Sequence, residues 1–348
     1  MKALVMSEPG NVKMTELPMP EMKPDEVLVR VRAAGICIND VRDFKGECDY
    51  SYPRIGGHEF AGEIYEIGSE VNKNRFHVGQ RVVTYVVDNC KECYYCKNGF
   101  ENVCPDSLNS ITYKNPDGIS GFCGFGQFVV AKAEDLYIAD DNVPFEKLAV
   151  VEPVACVINS INNANVEFGD DVLVIGGGTM GMLHVMLAHM KGANVILSEP
   201  VEERRKKALE LGANAVIDPI KVDVAEEVKR LTDGLGAKIV FNTTAIPAIA
   251  LQALDCTAKC GTMVMFSSLH PNKPVEINLG AIHSTQKNIT GAQNGTVKTF
   301  WQAVKMLNRG VFDPTPIIED VYDYHDFDQA MACAMRPDTY KVVLKITD

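Results

Sequence analysis

Cys90, Cys93, Cys96 and Cys104 fall within fifteen residues at the spacing C-x2-C-x2-C-x7-C. A loop that short can aim four thiolates at one point, and a d10 zinc ion accepts such a tetrahedral cage at about 2.3 Å per Zn–S bond. With all four positions filled by sulfur, no place is left for water or substrate, so a zinc here is structural. An iron–sulfur cluster is the rival reading, because Pro105 follows Cys104 as in bacterial ferredoxin runs; those runs close with a tighter gap than the seven residues here. Ordinary reduced thiols in a loop are the third alternative. Spacing favours zinc.

A second motif binds rather than ligates. Gly176-Gly177-Gly178-Thr179-Met180-Gly181 reads G-x-G-x-x-G, directly after the apolar run Asp171–Ile175 and at the start of a helical pattern. The first glycine makes the turn, the second lets a pyrophosphate approach the backbone, and the third seats helix on strand. Amides at the helix start, those of Thr179 and Met180 included, then face the phosphates. Eighteen residues after Gly181, Glu199 ends the next strand; an acid there accepts the ribose hydroxyls of NAD and repels a 2′-phosphate, which predicts NAD over NADP. Arg204 either flanks the adenine or makes a salt bridge. Thr243, beside Asn242 and Thr244, and Ser267, beside Ser268, end later strands, where dinucleotide ligands tend to sit.

The elements that must carry these motifs are of two kinds. Val27–Arg32 largely alternates apolar and charged residues, as a half-buried strand does, and glycines punctuate further short strands at Phe60–Ile67, Arg81–Val87 and Phe128–Val130. From about residue 155 the rhythm becomes strand, helix, strand: Asp171–Ile175, Thr179–Lys191, Asn194–Leu197, Glu202–Leu211, Ala215–Ile217, Ile239–Phe241, Thr262–Phe266. That is the βαβ signature of a doubly wound parallel sheet. One helix, Val297–Leu307, and a closing strand, Lys341–Ile346, are expected after it.

At 348 residues two domains are expected: 1–155 with 296–348 as one, 156–295 as the other. Hydrophobic content of 46% and charged content of 23% are those of a globular protein. A net charge of −12 and a pI near 5.1 argue against nucleic acid or an anionic membrane as partner. Eleven cysteines and no leader pattern at Met1-Lys2-Ala3-Leu4 point to a reducing cytoplasm. Val172–Met190 carries no formal charge, yet its glycines and two histidines read as strand, turn and buried helix rather than a membrane span.

A cysteine loop followed by a dinucleotide-binding unit resembles the zinc-containing medium-chain dehydrogenases, most closely the polyol branch of sorbitol, threonine and butanediol dehydrogenases. The residues that carry the resemblance are Gly35-Ile36-Cys37, Gly57-His58-Glu59, the four cysteines, Glu152-Pro153 and Gly176–Gly181. It implies an α/β protein: a β-rich GroES-like catalytic domain plus a Rossmann cofactor domain, as a homodimer or homotetramer. It also implies a second, catalytic zinc on Cys37 and His58, with Glu59 and Glu152 as ligands or close neighbours. Cys, His and a carboxylate leave one position open, as a catalytic zinc requires. The implied reaction is hydride transfer between NAD and a secondary hydroxyl or ketone of a polyol, sugar derivative or diol.

Relatives usually carry Ser or Thr two residues after the first zinc cysteine, and often His three beyond that, to pass a proton outward. Here those positions are Asn39 and Arg42. An amide does not exchange protons as a hydroxyl does, and arginine stays charged. The proton then leaves through water, Glu59 or Glu152, or the substrate carries its own relaying hydroxyl. Arg42 is expected either to face an anionic or polyhydroxylated substrate or to be a surface arginine. Loops at Cys48–Pro53, Ile111–Gly121 and Ser267–Gly295 are expected to shape specificity, with Asn159 near the cleft. The remaining cysteines read as buried thiols. Two other functions fit the motifs: a zinc- and NAD-binding regulator without turnover, or an iron–sulfur electron carrier. Metal analysis of the purified, colourless protein is expected to find about two zinc per chain; a brown protein with iron refutes the zinc reading.

Overall fold

The alternating run at Val27 becomes the core of an eleven-residue strand, Glu26–Ile36, around which one sheet is ordered. The computed structural model describes residues 1–107 and 118–348. Two compact units emerge, Met1–Ala155 with Gly295–Asp348, and Cys156–Asn294.

In the first unit the sheet runs Ile318–Asp323, Lys341–Lys345, Glu26–Ile36, Glu59–Ile67, Arg81–Thr84, Leu136–Ile138, and Phe128–Lys132 also pairs with Glu26–Ile36. Register matters more than order. Gly35 lies opposite Glu59 on one side and Val343 on the other, and Ile36 opposite Val342. The two neighbours therefore meet at the end of the strand that runs into Cys37. Val31, Ala34, Ile36, Phe60, Phe125, Phe327, Met331 and Leu344 form the core beneath that end.

Among the elements the sequence reading did not mark are the first two strands, Lys2–Glu8 and Asn11–Glu16, the helices Ile38–Phe44, Val151–Ala164, Val224–Leu231 and Pro247–Cys256, and, near the end, the strand Ile318–Asp323 and the helix Phe327–Ala334. The strand Ile318–Asp323 is a mostly exposed edge with three acids in six residues, so no apolar alternation marks it. Arg81–Thr84 is shorter than expected, because the chain leaves the sheet before the cysteine loop.

The second unit is a six-stranded parallel sheet in the order Ala215–Ile217, Asn194–Ser198, Asp171–Ile175, Ala237–Asn242, Thr257–Met265, Asn288–Gly291. The chain adds strands first to one side of Asp171–Ile175 and then to the other, the doubly wound pattern with its ligand-binding switch point. The uncharged stretch Val172–Met190 resolves into this strand and the helix Thr179–Met190. Among the described residues no helix is long and apolar enough to cross a membrane.

His184 is fully buried on that helix, between Phe241 and Phe266. Its Nδ1–H donates to the Met180 carbonyl at 2.8 Å and its Nε2 accepts from the Ser160 hydroxyl at 3.0 Å. Burial lowers its pKa to about 4 from 6.5. The unfolded chain takes up the proton first, so stability is full above pH 6.5 and falls as pH drops toward 4. The loss amounts to about 3 kcal/mol. Urea unfolding across that range is expected to show a shallower pH slope in His184→Gln; an unchanged slope refutes the assignment.

Candidate metal and cofactor sites

The cysteine quartet is assembled locally. The Sγ of Cys104 lies 3.6 Å from that of Cys90 and 3.9 Å from that of Cys93, and the Sγ atoms of Cys90 and Cys96 are 3.9 Å apart. A tetrahedron of 2.3 Å bonds has edges of about 3.8 Å, whereas disulfide sulfurs sit about 2.05 Å apart. The Cys93 amide points at Cys90 Sγ and the Cys96 amide at Cys93 Sγ. The latter bond draws the Cys93 thiol down to about 7, toward the thiolate a metal needs. The four residues fit a closed zinc cage.

The second cluster is built from two segments, Cys37 after the strand Glu26–Ile36 and His58–Glu59 at the start of the strand Glu59–Ile67. Cys37 caps the helix Ile38–Phe44, and its Sγ, a His58 ring nitrogen and a Glu59 carboxylate oxygen all lie within 4.8 Å of one another. Asp40 holds the two segments together: its Oδ2 accepts the Cys37 amide at 2.9 Å and its Oδ1 the Gly57 amide at 3.1 Å. Gly57 sits at φ +83°, and a Cβ there would come within 2.5 Å of the Phe125 ring, so only glycine delivers His58 to this place. The His58 ring packs on Phe122 at 5.3 Å. Burial disfavours its proton, but Cys37, Asp40 and Glu152 outweigh that and hold its pKa well above the ordinary value. Those negative groups are the ones that would draw in a cation.

Glu59 is nearly inaccessible, and its partner is a residue that sequence reasoning missed. Lys341 Nζ donates to Glu59 Oε1 at 2.7 Å and to the Ile36 carbonyl at 3.1 Å, and sits 2.6 Å from Glu59 Oε2. Both side chains are about 95% or more buried. Burial works against the ammonium, and the charges of Glu59, Cys37 and Glu152 keep it protonated. The ammonium thus reaches both oxygens of Glu59, and a Cβ at Gly35 would intrude to 2.5 Å of Oε2. A buried carboxylate beside a thiol and an imidazole fits a metal-ligand position. Glu152, in the first turn of the helix Val151–Ala164, stands outside the three-residue group, though its charge acts on both His58 and Lys341.

The glycine motif takes the form its spacing demands. Gly176 turns at φ +98°, and a Cβ on Gly181 would stand 1.8 Å from the Gly176 carbonyl oxygen. Nothing lies within 4 Å of where a Gly178 Cβ would be, so the backbone faces open space at the position where a pyrophosphate approaches. Glu199 is buried, its Oε2 accepting the Gly177 amide at 2.6 Å and its Oε1 the Val201 amide at 2.9 Å. A carboxylate has capacity beyond these two bonds, so the residues fit a dinucleotide.

Other expected contact residues also make bonds within the protein. The Thr243 hydroxyl donates to the Ile175 carbonyl at 2.8 Å and the Ser267 hydroxyl to the Thr243 carbonyl at 2.8 Å. Both brace strand ends. Arg205, the neighbour of Arg204, makes an ion pair with Asp218 at 3.1 Å and also donates to the carbonyls of Glu199 and Pro200. Asn159 holds the Asn294 carbonyl at 2.8 Å. Of the six other cysteines, Cys123, Cys156, Cys256 and Cys333 are buried as expected, but Cys260 is exposed and Cys48 half-buried. Asn39 is exposed and Arg42 half-buried on the helix after Cys37. Of the expected specificity loop Ile111–Gly121, residues 111–117 lie outside those described.

The profile of the alcohol dehydrogenase GroES-like domain matches residues 23–141, and that of the zinc-binding dehydrogenases residues 179–309. A sorbitol dehydrogenase of Halalkalibacterium halodurans is 30% identical over the whole of both chains. The chain belongs to the zinc-binding dehydrogenase family. A D-arabitol-phosphate dehydrogenase of Enterococcus avium is 29% identical over 99% of this chain and 97% of its own. An alcohol dehydrogenase from Escherichia coli solved with NADH is 26% identical, superposes with a TM-score of 0.89, and shares 99% coverage in both directions. As a family member the protein is an oxidoreductase with a GroES-like unit and a Rossmann unit, and zinc and NAD are its cofactors.

Replacing Lys341 with Met leaves Glu59 buried without its counter-charge. The metal-free protein is expected to lose about 3–5 kcal/mol, and zinc to restore part of it by supplying positive charge. Urea unfolding with and without chelator checks this; a loss below about 1 kcal/mol refutes it.

Proposed function

We propose that this zinc-binding dehydrogenase oxidises a secondary hydroxyl of a polyol, sugar derivative or related diol with NAD, through a metal held by Cys37, His58 and Glu59. The observation that carries the proposal is the convergence of those three side chains on one point. A zinc there would supply Lewis acidity toward the substrate oxygen, and the nicotinamide would take up the hydride.

The protein's own residues do the rest. Asp40 fixes the spacing of Cys37 and His58, and Lys341 holds the carboxylate of Glu59 in place. Asn39, exposed beside Cys37, offers a substrate hydroxyl a hydrogen bond but no proton path. Glu152, close enough to act on His58 and Lys341, is the group to receive the hydroxyl proton. Glu199 selects NAD by accepting ribose hydroxyls and repelling a 2′-phosphate. The relatives named for sorbitol and arabitol phosphate support the substrate class.

The protein acts as a homo-oligomer. The edge strand Asn288–Gly291 is largely exposed, with Ile289 41% and the neighbouring Leu279 75% accessible, a surface a second copy would cover. Eleven cysteines, none in a disulfide, suit the cytoplasm. Asn39 in place of a hydroxyl favours one other reading, a zinc- and NAD-binding regulator without turnover.

A panel of polyols, sugar phosphates and vicinal diols screened for NAD reduction decides between them. At least one substrate is expected to raise NADH absorbance, and Cys37→Ser to abolish that rise while NADH binding, read by fluorescence, persists. Full activity in Cys37→Ser, or a preference for NADP of about tenfold or more, overturns the proposal.

A further inference from the structure

Two core clusters share one face of the sheet in the first unit. Val27, Val29, Ile64, Val82 and Ala131 belong to one of them, and Val31, Phe60 and Val129 to the other. Strand alternation puts Phe60 on the same side as Ile64, and Val129 on the same side as Ala131. A cavity of about 180 Å³ opens where the clusters meet, lined by Phe60 and Val129 from one and by Ala131 from the other. Protein cores ordinarily leave few voids larger than a water molecule. An apolar cavity of about 150 Å³ is enough to bind benzene.

One polar atom of the wall is unsatisfied. Thr84 lines the cavity, lies on the same side of its strand as the core residue Val82, and is 8% exposed. Among the described residues its Oγ1 is buried and has no hydrogen-bond partner. A buried hydroxyl ordinarily has one, as donor or acceptor. The neighbouring wall, Val86, Phe122 and Cys123, is apolar.

Charge gathers only where the cavity meets solvent. Asp88 and Lys132 line it with 38% and 43% of their side chains exposed, and they pair at 2.9 Å. Glu26 and Asp135 line it too, and face Lys23 at 3.4 Å and Lys91 at 3.8 Å. Each acid therefore has a lysine beside it, and the mouth favours neither a cation nor an anion. The metal cluster is a different place: none of Cys37, His58 and Glu59 lines the cavity, and the two touch through Phe122, whose ring packs on His58 at 5.3 Å.

We propose that this cavity is a second small-molecule site, separate from the Cys37–His58–Glu59 cluster, and that it takes an uncharged compound with a ring-sized apolar body and one hydroxyl. The body fills the space between the two core clusters, and the hydroxyl pairs with Thr84 Oγ1. Binding of this kind satisfies the orphaned hydroxyl and buries no charge. It does not depend on the dehydrogenase reading.

Ligand-observed NMR on the zinc-loaded protein tests this with phenol, toluene, benzoate and benzylamine. Phenol is expected to bind with a Kd of about a millimolar, and toluene about threefold or more weaker. Both charged compounds are expected to bind about tenfold or more weaker than phenol. Thr84→Val keeps the shape and removes the hydroxyl, and is expected to bring phenol down to the level of toluene. Ala131→Leu fills the cavity and is expected to abolish binding of both. Phenol binding that survives both substitutions, or no binding of phenol and toluene at all, overturns the proposal. Equal affinity for phenol and toluene, or a ratio unchanged in Thr84→Val, overturns the pairing with Thr84, and this arm stands even where Ala131→Leu fails to fold. A charged compound that binds as tightly as phenol overturns the neutral assignment.

Discussion

One carboxylate sets the geometry of the Cys37–His58–Glu59 cluster. Asp40 accepts amides from Cys37 and Gly57, seventeen residues away, and so fixes the two segments that carry the cluster. Metal sites gain affinity from such outer hydrogen bonds, because the ligands need not be ordered at the moment of binding. Asp40 lies 8% exposed, where a carboxylate without donors would be expensive. The two amides meet that need, and the helix cap and the metal loop become one structure.

Charge completes what Asp40 begins. Cys37, Glu59 and Glu152 bring acidic groups toward a poorly solvated point, and Lys341 is the buried cation that makes this tolerable. The ammonium reaches both oxygens of Glu59 and the Ile36 carbonyl, so the strand end and the carboxylate are tied to one buried charge.

What could be read in the sequence follows the range of the interaction. The cysteine quartet and the glycine motif are local, and chain stereochemistry nearly dictates their geometry; Glu199 sits one βαβ unit further on and was equally readable. Asp40 left a trace, an acid three residues after Cys37 in a capping position, though only the structure links it to Gly57. Lys341 left none, because 282 residues separate it from Glu59 and only strand register brings them together. Thr243 and Ser267 were picked for their place at strand ends, and the structure adds what the sequence does not show: their hydroxyls donate to the carbonyls of Ile175 and Thr243. Arg204 and Arg205 are adjacent, and periodicity did not reveal which one turns inward to Asp218.

Glu199 has a consequence for how this protein could change over evolutionary time. Its carboxylate receives the Gly177 amide, so the side chain we propose to discriminate between cofactors is also a strut of the glycine turn. A mutation that exchanged it for a small neutral residue, to admit an extra phosphate, would at the same stroke orphan an amide in the phosphate-binding loop. The altered cofactor choice would arrive with a loosened cradle. Drift from one dinucleotide to the other is therefore not a single step for this chain: a second substitution has to re-anchor the turn, and the intermediate between them binds either cofactor poorly.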